Sequence, residues 1–129
     1  MRVVLDTNVL WDSGALAALA RSSVNVVVPA LVFAERARQY RQRGRSTREL
    51  REQLARNEFT LEDFRPEHAE RYATNIVDDA LWRRVSRDAL IAGHLGPGDI
   101  LLTANVKDFL AVGVQRDQLV HPRDIGTRT

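Results

Sequence analysis

The chain has 129 residues, 44% of them hydrophobic and 28% charged, which is enough for one globular domain with its own core and too short for two. It contains no cysteine, which excludes a disulfide scaffold, thiolate zinc sites, iron–sulfur ligation and a cysteine nucleophile. The net charge is only +2, yet it is unevenly spread: eight Arg between Arg36 and Arg56 face only Glu49 and Glu52. Such a segment reads as a solvated helical face or as the contact for a polyanion or a partner protein. No apolar run is long enough to span a membrane, and with a strand-like run starting at Arg2 no signal peptide is expected. A cytoplasmic domain is expected.

In chain order, Arg2 to Leu5 reads as a short buried strand, and Asp6-Thr7-Asn8 as a helix start leading into an Ala- and Leu-rich helix that ends near Ala20. Val24 to Val28 is a second strand, closed by Pro29, and a helix from Ala30 to Arg43 stops at Gly44. Ser46-Thr47-Arg48-Glu49 reads as a capping box for a helix ending at Asn57. A strand is expected near Phe59 to Leu61, and a helix from Pro66 through Ala73. The helical pattern from Asp78 to Leu95 allows a break at Ser86. Ile100 to Thr103 is the next strand, Val106 to Leu110 a short helix, and Leu119-Val120 the last strand. Strands alternating with helices imply βαβ units and a three-layer α/β/α fold around a mostly parallel sheet of four to five strands. A single domain over residues 1–122 is expected, with a helical hairpin at about 30–57 inside it and a polar C-terminal tail at 123–129.

In a parallel sheet, ligands collect beyond the carboxyl ends of the strands. Asp6 follows the first strand, and Thr103, Asn105 and Asp108 follow the fourth. Taken alone, Asp6 is a helix N-cap and Asp108 a first-turn acid. Asp88 lies within the apolar stripe Leu81, Val85, Ala92 and Leu95, so its carboxylate needs a cation, a partner or a cleft. Glu35 lies in the apolar first half of its helix, where the plain alternative is a salt bridge to Arg36 or Arg38. Four carboxylates near one sheet edge call for a hard divalent cation such as Mg²⁺, which takes oxygen ligands and binds phosphate. His68, His94 and His121 are scattered and read as surface or capping residues, Asp99 and the pair Asp78/Asp79 as loop or capping residues. Nucleotide-binding glycine loops and a serine nucleophile elbow are missing.

The segments VVLDTNVL, PALVFAERAR, RDALIAGHL and ILLTANVKDF, in this order from Val3 to Phe109, resemble the PIN-domain family and most of all its small VapC-type toxins. The resemblance implies an α/β/α fold, ribonuclease activity dependent on Mg²⁺ or Mn²⁺, and neutralisation by a cognate antitoxin; small toxins of this kind commonly form homodimers. By position it implies Asp6, Glu35, Asp88 and Asp108 as the catalytic acids, with Asp6, Asp88 and Asp108 on the metal and Glu35 reaching it directly or through water. Many relatives carry an Asp where this chain has Asn105, so Asn105 and Asp108 both stand for the fourth position. Asn8, Thr103 and Asn105 resemble the supporting polar residues. Arg36, Arg38, Arg41, Arg43 and Arg45 are candidate contacts for RNA or antitoxin. Two other classes compete: a non-catalytic RNA- or protein-binding module of the same fold, and a phospho-acceptor domain. The second needs an acidic pair after the first strand, where only Asp6 stands.

Overall fold

A computed structural model describes residues 1–125. Its strands are β1 (Arg2–Leu5), β2 (Asn25–Pro29), β3 (Thr60–Glu62), β4 (Ile100–Leu102) and β5 (Leu119–Val120). Its α-helices are α1 (Ser13–Arg21), α2 (Ala30–Gln42), α3 (Thr47–Arg56), α4 (Pro66–Arg71), α5 (Asp79–Ala92) and α6 (Val106–Ala111). The sheet order is β3-β2-β1-β4-β5, and all four pairings are parallel. Helices lie on both sides, so the expected α/β/α class holds. Val3, Val4, Leu5, Val26, Val27, Val28, Leu101 and Leu102 are buried, as strands covered on both faces require.

From β1 the chain steps outward through β2 to β3, then crosses back to β4 on the other side of β1. Right-handed crossovers in opposite directions put α1 to α3 on one face and α4 to α6 on the other. The order therefore reverses between β1 and β4, the place where open α/β sheets form a crevice at the carboxyl edge. Leu5 pairs with Leu102 in register, so Asp6 and Thr103 leave the sheet side by side there.

Local chemistry explains most element ends. Ser46 and Glu49 form the reciprocal capping box at the start of α3. Gly44, just past α2, has φ 71°, a conformation natural to glycine after a helix. The segment after Asp6 is a 3-10 turn over Thr7–Trp11 before α1 begins, with Asp12 capping that helix. The segment from Pro66 likewise divides, into α4 and a 3-10 turn over Ala73–Asn75.

Three expectations need correction. Helix α5 runs unbroken through Ser86, because the stripe of Val85, Asp88, Ala89 and Ala92 stays buried on one face and leaves no free N-terminus for Ser86 to cap. In the presumed tail, Pro122–Asp124 form a 3-10 turn with His121 accepting from the Arg123 N–H, while residues 126–129 lie outside the described residues. His68 and His94 are buried and not at the surface; His68 fills the capping alternative, accepting from the Arg65 N–H at the start of α4, whereas His94 does not. Among the described residues no helix is long and apolar enough to cross a membrane.

The end of α5 packs tightly on α4. Gly93 sits so close that an added Cβ would fall 1.9 Å from the His68 carbonyl oxygen. Arg71 then donates to the carbonyls of Gly93 at 2.7 Å and Leu95 at 2.6 Å, satisfying the helix C-terminus with a cation. Gly93→Ala is expected to cost about 2 kcal/mol or more, as overpacking against backbone does. Thermal melting checks this, and an unchanged midpoint would contradict the packing described.

Candidate active site

Asp6 is 1% exposed, and both its oxygens are fully engaged. Oδ1 accepts from the Thr7 N–H at 2.7 Å and from Arg87 at 2.8 Å. Oδ2 accepts from the Thr103 hydroxyl at 2.7 Å and from the Asn8 amide at 3.2 Å. Asp6 is therefore the cap of the 3-10 turn and the centre of a polar cluster at once. Asn8 also ties the two strand ends together, accepting from the Ala104 N–H at 3.2 Å. Thr103, buried between β4 and β5, accepts from the Asn105 N–H at 2.9 Å.

Arg87, on α5, occupies the middle of the acids. Its Nε donates to Glu35 at 2.5 Å, one terminal nitrogen donates to Asp88 at 2.6 Å, and the other donates to Asp6 and to the Thr7 hydroxyl, each at 2.8 Å. The Thr7 hydroxyl donates in turn to Glu35. Sequence reasoning assigned neither Arg87 nor Thr7 to the site. The available signal was Arg87's place beside Asp88, next to acids that needed a counter-charge. Glu35 therefore pairs with Arg87, and neither Arg36 nor Arg38 is its partner.

Asp88 is 4% exposed. Asn105 donates one amide to Asp88 at 3.4 Å and to Asp108 at 3.1 Å, which sets Asp108 at the outer side of the cluster. Of the two candidates for the fourth position, both stand beside Asp88 and Asp108 carries the charge. Asp6, Glu35 and Arg87 line a groove of about 390 Å³ together with Trp11, Gln39 and Asn105, while Asp88 lies buried behind Arg87 and Asn105.

The electrostatics follow from burial. Burial pushes the Asp88 carboxyl up from 3.8 to about 6, with the Asp6 and Asp108 charges adding to the rise and Arg87 opposing it. Burial works against the Arg87 charge, but the bonds and charges of Glu35 and Asp6 outweigh it and hold the guanidinium above its ordinary value.

The Arg-rich hairpin lies beside this groove. Arg36 is buried against Trp11 and Tyr40, with its guanidinium 3.6 Å and 4.7 Å from the ring centres, and its hydrogen bond goes to Gln39. Arg43 also stacks on Trp11, and Arg45 stacks on Tyr40 while pairing with Glu49. Arg38 and Arg41 are exposed.

A second group of ligand-type side chains, Glu62, His68 and His94, brings its ligand atoms within 4.8 Å of one another. It shares no residue with the Asp6 cluster. His68 Nδ1 accepts from the Arg65 N–H at 3.0 Å, which places the His68 proton on Nε2, toward Glu62. His94 Nδ1 lies 2.6 Å from the same Glu62 oxygen, and Glu62 also pairs with Arg2. Burial holds the His94 ring below its ordinary value, and Glu62 only partly offsets that. An ion held through His68 Nε2 would move that proton to Nδ1 and cost the bond from the Arg65 N–H.

Asp99 and the pair Asp78/Asp79 stand outside both groups. Asp78 caps α5, and Asp99 accepts from the Gly96 N–H and pairs with Arg2.

Residues 3–108 match the model of the PIN domain, and the chain belongs to the PIN domain family. PIN domains are generally metal-dependent nucleases. A search among curated proteins and one among solved structures returned no match.

With Asp88 bound more tightly to its proton in the folded chain, its stabilising contribution is full below the ordinary value of 3.8 and is lost as the pH rises through about 6. In EDTA, the melting temperature of wild type is therefore expected to fall relative to Asp88→Asn between about pH 4 and about 6.5. A difference that stays constant over that range would place the carboxyl at its ordinary value.

Proposed function

We propose that this protein is an endoribonuclease that uses Mg²⁺ or Mn²⁺ and acts in the cytoplasm as the toxin of a type II toxin–antitoxin pair. The observation that carries the reading is the convergence of Asp6, Glu35 and Asp88 on one cationic group, at the carboxyl edge of a PIN domain. The donors are all oxygens, a set suited to a hard ion that keeps waters and binds phosphate. Asp6 and Asp88 would hold the ion, with Asp108 and Glu35 completing the set directly or through water.

When bound, the ion supplies a Lewis acid for the phosphate and lowers the pKa of water beside it. The chain's own groups do the rest. Thr103 and Asn8 fix the Asp6 carboxylate, and Asn105 holds Asp88 and Asp108 as neighbours. As the alternative to reaching the ion, Glu35, part-exposed at the groove, would take the proton of the attacking water. In-line attack of that water at phosphorus would break the P–O3′ bond and leave a 5′-phosphate and a 3′-hydroxyl, the products the family resemblance implies.

Partner assignments rest on the resemblance and on charge. Arg38 and Arg41, with Arg43 and Arg45 on their aromatic supports and Arg36 beneath, offer an anion-binding face to RNA phosphates or to an antitoxin. A homodimer belongs to the same reading.

Cleavage of RNA by the full chain, with EDTA and with added Mg²⁺ or Mn²⁺, tests the proposal. Activity should vanish in EDTA and return with the ion. Asp6→Asn, Asp88→Asn and Asp108→Asn should each lower it by more than about a hundredfold, beyond the effect of removing a supporting hydrogen bond. If Asp108→Asn stays active and Asn105→Ala does not, Asn105 fills the fourth position. In the same preparation, combining Arg41→Gln with Arg43→Gln should weaken RNA binding and reduce its salt slope by about one for each phosphate no longer neutralised. RNA binding without cleavage under any divalent ion would leave a non-catalytic module.

A further inference from the structure

We propose that Arg87 is the resident counter-cation of this site: it holds the carboxylates together in the metal-free protein and must leave them when a divalent ion enters. Competition between the two would then set the ion concentration at which the site loads. The inference rests on the metal-dependent reading above and adds a residue that opposes loading.

The geometry is decided atom by atom. Asp6 Oδ2 is committed to two side chains, Thr103 and Asn8, whereas Oδ1 carries one bond from the fold, the Thr7 N–H, and faces Arg87, so Oδ1 is the oxygen through which Asp6 can serve a ligand. Asp88 divides in the same way, with Oδ2 toward Asn105 and Oδ1 on Arg87. Glu35 gives Oε1 to Thr7 and Oε2 to Arg87. The three oxygens left for a cation thus converge on one guanidinium, and all three of its nitrogens are spent on them. An ion held by Asp6 and Asp88 through these oxygens would take the place that Arg87 now fills. Arginine does not discharge by losing a proton, so the two cations exclude one another by charge as well as by volume.

The fold allows the exchange. The Arg87 side chain is 36% exposed at the groove, while Asp88, its neighbour on α5, is buried and fixed by Asn105. The guanidinium can swing out on its long stem while the helix and the bonds of Thr103 and Asn8 to Asp6 and of Asn105 to Asp88 stay in place. A purely structural ion pair predicts the opposite behaviour, since removing the arginine would disorder the carboxylates and weaken any ion they hold.

The test is binding of Mn²⁺ alone, followed by titration calorimetry and by melting in an Mn²⁺ series, for full-length wild type, Arg87→Gln and Arg87→Lys. Arg87→Gln should melt below wild type in EDTA, bind Mn²⁺ at least about tenfold more tightly, and gain more melting temperature from it. Arg87→Lys should fall between, because one ammonium cannot bridge three carboxylates in the way the planar fork does. That order also keeps the test alive if the Gln variant fails to fold. Mn²⁺ affinity equal to or weaker than wild type in folded variants overturns the inference while leaving the metal site standing. No Mn²⁺ binding by any of the three proteins overturns the metal-dependent reading itself.

Discussion

Two carboxylates about 5 Å apart repel by roughly 3 kcal/mol at an effective dielectric of about 20, and Asp6, Glu35 and Asp88 all converge on one point. Asp6 and Asp88 are also almost wholly buried, which removes the water that would otherwise screen them. A cation between them therefore stabilises the folded state. The chain supplies its own in Arg87, which draws the three side chains to one point. The rise in the Asp88 carboxyl shows that one guanidinium does not fully offset burial and the neighbouring charges.

The remainder of the architecture serves to aim those three side chains. The reversal of strand order between β1 and β4 opens the crevice, and the register of Leu5 with Leu102 puts Asp6 and Thr103 next to each other. Helix α2 contributes Glu35 from one face of the sheet, and α5 contributes Arg87 and Asp88 from the other. The contact of Gly93 with the His68 carbonyl, with Arg71 over the end of α5, fixes where that helix lies. A glycine little more than a turn beyond Asp88 thus bears on the placement of the acids through the pose of a single helix.

Much of this was legible in the chain because it is local. The capping box at Ser46, the stop at Gly44 and the strand runs each depend on neighbours a few residues away, and Asp88 stood out because a carboxylate interrupted an apolar stripe. What escaped notice depends on residues distant in sequence. Arg87 reads as one more surface arginine until β1 and α2 deliver Asp6 and Glu35 to it. His68 and His94 looked like scattered polar residues, because only the packing of α4 on α5 and the arrival of Glu62 from β3 bury them. Ser86 resembled a helix start by residue type alone, whereas the buried stripe on both sides of it decides that α5 continues.

The most direct test of this account is anomalous scattering from crystals of the full chain grown with and without Mn²⁺. The expected result is a Mn²⁺ peak bonded to Asp6 Oδ1 and Asp88 Oδ1, with the Arg87 guanidinium moved out into the groove, and with Arg87 back on the three carboxylates in the metal-free crystals. A peak at Glu62, His68 and His94 instead, or no peak at the acids with Arg87 unmoved at saturating Mn²⁺, would contradict it.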